Sequence, residues 1–162
     1  MQTENKISST NQALDLIRIW KEKRESIIFT NGCFDILHLG HVDYLQKAKN
    51  IGGKLIIGVN SDDSVRRIKG DLRPIVDQNA RMRILASLQF VDCVTLFEED
   101  TPFELIHLLL PDVLVKGNDY SIENIVGADI VLGNGGRVET IELVKGHSTS
   151  SIVDKIMESK KV

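Results

Sequence analysis

Within the stretch TNGCFDILHLGHVDYLQKA, residues 30–48, two histidines stand three apart, His38 and His41, with Gly40 between them and Asp35 just upstream. The chain has only four histidines, so half of its imidazoles gather at one turn. Imidazoles three apart at the start of a helix lie near one face. They donate hydrogen bonds to phosphoryl oxygens without the bulk of arginine or the permanent charge of lysine. Gly40 leaves room for a phosphate or ribose to approach the backbone. Taken alone, the pair also fits two other roles. One is a shared metal ion, for which a third ligand at fixed spacing is missing; the other is simple capping and solvation of the turn.

Such residues need a frame that holds them between the end of a strand and the start of a helix. Upstream, SIIFTN (26–31) is a β-branched and apolar run ending at Gly32, the pattern of a buried strand. Downstream, Leu39, Val42, Leu45 and Ala48 recur at helical spacing until IGGK, which predicts a helix over about 38–50. The alternation runs through the whole chain. Helices are expected at ALDLIRIWKEKR (13–24), at SDDSVRRIK with Ser61 as N-cap, and at QNARMRILASLQ (78–89). Two more are expected at TPFELIHLLL (101–110), with Thr101 as N-cap and Pro102 at the first helical position, and at STSSIVDKIMES (148–159), with Ser148 as N-cap. Strands are expected at KLIIGVN (54–60), VDCVTLF (91–97), DVLVKG (112–117) and GGRVETIEL (135–143). Strands alternating with crossover helices imply an α/β fold: a Rossmann-like, doubly wound parallel sheet in a single domain. Residues 1–25 read as an N-terminal helical extension and 26–162 as the domain proper.

A chain of 162 residues is long enough for one well-buried core and short for two. The formal charge of -3 provides no basic field for nucleic acid. Cys33 and Cys93 form neither a C-x-x-C motif nor a disulfide framework, which suits a reducing compartment. The polar start MQTENKISSTNQ lacks an apolar leader core, and no apolar run approaches the roughly 18 residues of a membrane span. A cytoplasmic protein without membrane or nucleic-acid partners is the expectation.

In open α/β sheets ligands bind beyond the carboxyl ends of the strands. The residues falling there are Asn31 to His41, Asn60 to Asp63, KGNDY (116–120) and KGHSTS (145–150). Several are glycine-containing turns that lead into helix N-termini, where free N–H groups and the helix dipole favour phosphate.

GCFDILHLGH resembles the signature of the nucleotidyltransferase superfamily with an H-x-G-H motif, and GHSTSSI resembles the second signature of its cytidylyltransferase-like branch. The two lie roughly 110 residues apart in the chain, in the expected order. A fuller likeness runs from about residue 26 through GVNSDDSVRRIKGDLRPI, FEEDTPFELI, PDVLVKGNDY, IVGADIV and GGRVETIELVKGHSTSSIVDKI, which together resemble the adenylyltransferases of ADP-heptose synthesis. That resemblance implies transfer of AMP from ATP to heptose 1-phosphate, giving ADP-heptose and pyrophosphate for lipopolysaccharide or other surface heptose, with Mg²⁺ assisting. A homodimer is expected from the superfamily. In many bacteria this activity is joined to a sugar kinase, so a separate kinase upstream is expected for a chain of this size.

The resemblance also implies roles. His38 and His41 would contact the phosphates and stabilise the transition state, with Lys69 on a loop framed by Gly70, Arg73 and Pro74, and Arg81 at the next helix, as further catalytic groups. Asn31, Gly32, Cys33, Phe34 and Gly40 would shape the nucleotide site, Cys33 as a small packing residue and not a nucleophile. Asp35 is open between capping the turn, orienting a histidine, and holding metal or sugar hydroxyls. Lys116, Gly117, Asp119 and Tyr120 would lie beside the nucleotide, and Ser148, Thr149 and Ser150 at the last helix's N-terminus. No protein ligand set for a metal is assigned. In the glycerol-3-phosphate cytidylyltransferases an arginine stands five residues before the S-T motif, where this chain has Leu143. A cytidylyltransferase acting on a small alcohol phosphate and a non-catalytic nucleotide-binding module are the competing readings.

Overall fold

The structure, a computed structural model, describes residues 2–118 and 121–159. Six strands form one sheet in the order β1-β4-β3-β2-β5-β6, and every pairing is parallel. They are β1 (Ile7–Ser8), β2 (Ile27–Gly32), β3 (Lys54–Asn60), β4 (Cys93–Phe97), β5 (Val113–Gly117) and β6 (Arg137–Ile141). The helices are α1 (Thr10–Glu22), α2 (Leu39–Asn50), α3 (Asp62–Lys69), α4 (Gln78–Ser87), α5 (Phe103–Leu109), α6 (Ala128–Gly133) and α7 (Thr149–Ser159).

The central strands are apolar on both faces because both faces are covered. Ile28, Leu55, Ile57, Val94, Val113 and Val115 pack with Leu45 and Ala48 of α2 and Met82, Leu85 and Ala86 of α4. Their neighbours Ile27, Phe29, Ile56, Cys93 and Leu114 pack with Ala13 and Ile17 of α1, Leu105, Ile106 and Leu109 of α5, and Ala128 and Val131 of α6. The pleat alone sorts adjacent residues into the two layers.

Three features differ from the sequence expectation. The segment 1–25, read as an extension, is built into the domain: β1 adds the sheet's edge beside β4, and α1 buries Ala13 and Ile17 completely or nearly so. Ser9 and Gln12 exchange hydrogen bonds in a capping box that starts α1 at Thr10. The helix after β4 begins at Phe103 with Pro102 in the cap position and no side-chain cap, so Thr101 does not cap it. Finally, a 3₁₀ turn (Ile122–Asn124) and α6 lie in a stretch where no element was expected. Ser61 does cap α3, accepting from Ser64 N at 3.2 Å. Among the described residues no helix is long and apolar enough to cross a membrane.

The strand order matters for function. From β2 the chain crosses to β3 on one side, whereas β5 and β6 lie on the other. A crevice therefore opens above the carboxyl ends of β2 and β5, where successive connections diverge.

Candidate functional site

That crevice holds a cleft of about 590 Å³. Its floor is the exit of β2. Gly32 faces the Phe34 ring so closely that a Cβ there would lie 3.0 Å from it, and Phe34 takes a left-handed φ of +47° to turn the chain. Its buried ring meets His41 edge-on, with centroids 5.2 Å apart and planes at 64°.

His38 occupies the N-cap position of α2, yet its side chain makes no capping hydrogen bond; its carbonyl instead accepts from His41 N and Val42 N at 3.0 and 3.1 Å. Capping therefore leaves the imidazole unused. The two rings stack at 3.8 Å with planes 22° apart, and the buried Nδ1 atoms of both lack a hydrogen-bond partner among the described residues. Burial first, and then the nearby His38, push the His41 pKa down to about 4 against the opposing hydrogen bond to the Ile36 backbone. His38 is lowered by burial first and then by His147. Two imidazolium ions in such a stack would repel, so the rings stand neutral, each with one N–H to donate. A polar atom buried without a partner is costly, so the stack is held against a penalty that packing of the turn must offset.

Asp35 faces the 70–77 loop. Its buried carboxylate accepts from Ile75 N and Val76 N at 2.7 and 2.8 Å and pairs with Arg73 Nε. It thus latches the 70–77 loop onto the turn after β2 and leaves that carboxylate already engaged. Lys69, at the end of α3, lines the cleft and makes no hydrogen bond or ion pair with the described residues. Arg73 lines it too, charge-paired with Asp35.

Arg81, expected as a catalytic group, does not line the cleft; it lies beneath it, 1% exposed. Its guanidinium donates to Val76 O (2.9 Å), Cys33 O (2.5 Å), Asn60 O (2.8 Å) and Asp62 Oδ1 (2.7 Å). One side chain thereby joins the loop, the turn after β2 and the end of β3. Arg81 is therefore a buried brace and not a surface ion pair.

On the other bank, Lys116 Nζ donates to Asn31 Oδ1, tying the ends of β5 and β2. Gly117 lines the cleft beside it. Asp119 and Tyr120 lie outside the described residues. Ser148 and Ser151 exchange backbone-to-hydroxyl hydrogen bonds of 3.1 and 3.2 Å, so Ser148 caps α7, while Thr149 and Ser150 line the cleft with it. Burial raises the Cys33 thiol pKa, which keeps it protonated and unsuited to nucleophilic attack.

The site residues assigned from sequence did not include Tyr44, Asn60, Ile68, Asp100, Leu143, Val144 and His147, which also line the cleft. Tyr44 was accessible: it lies three residues after His41 on the same helical face, and its hydroxyl bridges Thr30 Oγ1 (2.8 Å) and Val115 O (3.0 Å). His147 carried no signal beyond its place in GHSTS.

Lys69, Arg73 and Lys116 with three imidazoles make the cleft suited to a polyanion. Among the described residues no group of three or more His, Cys, Asp or Glu side chains is placed to hold a metal ion.

Comparison with known proteins agrees with this geometry. Residues 29–154 match the family described as cytidylyltransferase-like. The chain is 48% identical over 158 residues to the bifunctional protein HldE of Syntrophotalea carbinolica and 50% identical over 157 residues to that of Geobacter metallireducens. The alignments cover 98% and 97% of this chain but 32% of each relative, so the chain spans about a third of the length of the curated relatives it matches. The lipopolysaccharide core biosynthesis protein from Thermoplasma volcanium superposes with a TM-score of 0.59 at 29% identity, covering 76% of this chain and 99% of its own. Pantoate-beta-alanine ligase from Francisella tularensis, solved in complex with beta-gamma ATP and beta-alanine, shares the fold at a TM-score of 0.58 and 16% identity, over 96% of this chain and 79% of its own.

Proposed function

Since this chain belongs to the cytidylyltransferase-like family, we propose that it is an adenylyltransferase that transfers AMP from ATP to heptose 1-phosphate, releasing pyrophosphate and forming ADP-heptose for lipopolysaccharide or other surface heptose. The observation that carries the nucleotidyl-transfer chemistry is the stacked His38–His41 pair with its two unpartnered Nδ1 atoms at the switch point of the sheet. The choice of ATP and a heptose phosphate rests on the likeness to ADP-heptose adenylyltransferases and on relatives near 50% identity named bifunctional protein HldE. The similar structure named a lipopolysaccharide core biosynthesis protein supports the same destination.

In this reaction an oxygen of the sugar phosphate attacks the α-phosphorus of ATP, the bond to the bridging oxygen of the β-phosphate breaks, and pyrophosphate carries away the electron pair. No covalent enzyme intermediate is needed. His38 and His41 donate to the phosphoryl oxygens on which charge grows, and their fixed stack requires little reorganisation as it does so. Lys69 neutralises the leaving pyrophosphate, and the N-terminus of α7, with Ser148 to Ser150, receives phosphate through its N–H groups and hydroxyls. Arg81 and Asp35 position the turn after β2 and the 70–77 loop. Mg²⁺ arrives as part of the MgATP substrate, where it offsets triphosphate charge; the engaged Asp35 carboxylate argues against a cage of protein ligands.

Incubation with ATP, CTP or GTP and each candidate acceptor, following pyrophosphate, tests the proposal. Release is expected with ATP and the β anomer of heptose 1-phosphate, and none with heptose 7-phosphate, because only an anomeric phosphate becomes the bridging diphosphate. A clear preference for CTP with glycerol 3-phosphate would overturn it. Pyrophosphate release under no pairing would favour a nucleotide-binding module instead.

A further inference from the structure

Three of the chain's four histidines line the cleft, and the chemistry above uses two. The third, His147, belongs to the turn between β6 and α7. Gly146, just before it, holds a left-handed φ of +78°, a conformation glycine adopts without strain. This turn closes tightly on the start of α2: a Cβ on Gly40 would lie 3.2 Å from the His147 carbonyl oxygen and 3.1 Å from the His38 ring. The His147 side chain is exposed, makes no hydrogen bond or ion pair with the described residues, and stands close enough to His38 for its charge to be felt there.

Its position in the fold complements Lys69. The lysine ends the helix that follows β3, and His147 follows β6, so the two flank the β2–β5 crevice from opposite sides. The titratable and charged groups that line the cleft with His147 are the imidazoles His38 and His41, whose burial favours the neutral form, the cations Lys69, Lys116 and Arg73, and the carboxylates Asp35 and Asp100; Lys145 belongs to its own turn. Asp35 is paired with Arg73 and Asp100 with Arg67. A ligand entering this ring of cations is an anion of high charge, and α7's first N–H groups lie in the residues that follow His147.

We propose that His147 is a third phosphate-contacting histidine of this site, donating to the β- and γ-phosphoryl oxygens of the bound nucleoside triphosphate from the bank opposite Lys69. This rests on the nucleotidyl-transfer reading and adds a binding residue to it. An anion held between His147 and the neighbouring cations favours the protonated ring, so triphosphate binding is coupled to proton uptake and its affinity rises as pH falls.

The test uses the full chain with His147→Ala and His147→Gln, and His107→Gln on the exposed surface of α5 as the control. MgATP binding is measured calorimetrically without acceptor at pH 6 and pH 8, alongside KM and kcat for pyrophosphate release. His147→Ala is expected to weaken MgATP binding about tenfold at pH 6, in line with one lost charge-assisted hydrogen bond, and to raise the KM for MgATP, while the KM for the sugar phosphate changes less than threefold. His147→Gln, which keeps a neutral donor, should approach the parent at pH 8 and fail to gain affinity at pH 6. Unchanged MgATP binding in a folded His147→Ala variant overturns the proposal, as does an effect confined to the sugar phosphate. Binding of MgATP by the parent without pyrophosphate release would sink the adenylyltransferase reading alone, and the His147 comparison would still be decided by calorimetry; a parent that binds no triphosphate sinks both.

Discussion

Replacing Arg81 by Met removes a buried cation and keeps the apolar stem, and the structure sets both the size and the kind of loss. The guanidinium is 1% exposed and serves four acceptors: three backbone carbonyls, on Cys33, Asn60 and Val76, and the Asp62 carboxylate. Hydrogen bonds to a charged group contribute about 1.5–3 kcal/mol each, and they do not add when one side chain makes them all. The Asp62 side chain is partly exposed, and the Cys33 residue lines the cleft, so water reaches some of the abandoned acceptors. The cost then falls near that of breaking a buried ion pair by removing one partner, about 3–5 kcal/mol. At roughly 2–4 °C per kcal/mol for a domain of this size, the melting temperature should fall by about 6–20 °C. Activity should fall with it, because Cys33 and Val76 anchor the turn and loop that frame the cleft. Arg81→Lys keeps the charge but cannot span four acceptors, so its loss should be intermediate. Urea unfolding and kcat/KM on the same preparations supply the measurement. A melting temperature within 2 °C of the parent, together with a large loss of kcat, would refute the brace and return Arg81 to direct catalysis.

The histidine stack should behave in the opposite way. His41→Ala is expected to lower kcat by about 100-fold or more, as loss of an oxyanion donor does, with melting unchanged or slightly raised because an unpartnered buried nitrogen is removed. A folded variant with parental turnover would remove His41 from the chemistry. Stability should also depend on pH through this residue. Its folded pKa lies near 4 against an ordinary 6.5, so between those values the unfolded chain binds the proton and the folded one does not; stability is retained above pH 6.5 and lost as pH falls toward 4, by at most about 3 kcal/mol. Denaturant midpoints across that window, compared with His41→Ala, should show the slope in the parent only. Lys69→Ala should reduce turnover by about tenfold while moving the melting temperature by less than about 2 °C, since a solvated side chain contributes little to folding; equal kinetics would place Lys69 outside the site.

The parts of this protein legible in its sequence are the ones made by short-range physics. β2 and β3 announce themselves as unbroken apolar runs because helices cover both faces, and the caps at Ser61 and Ser148 act on residues three positions away. His38 and His41 stack because one turn of α2 brings them together, and a three-residue spacing is visible in any reading of the chain. The features that escaped are made by contacts between distant segments. β1 is two residues long and becomes a strand only by pairing Ile7 and Ser8 with Val94 and Thr95. Asp35 is one acidic residue in a turn until the 70–77 loop folds back to place Ile75 N and Val76 N against it. Arg81 looks like any helical arginine, and its burial follows from the meeting of the β2 turn, the end of β3 and the loop above α4. His147 enters the cleft because the order β3-β2-β5-β6 lays the exit of β6 over the start of α2. Hydrophobic periodicity reports which face of an element is buried. The neighbour across that face is decided by strand order and crossover direction, which no local pattern encodes.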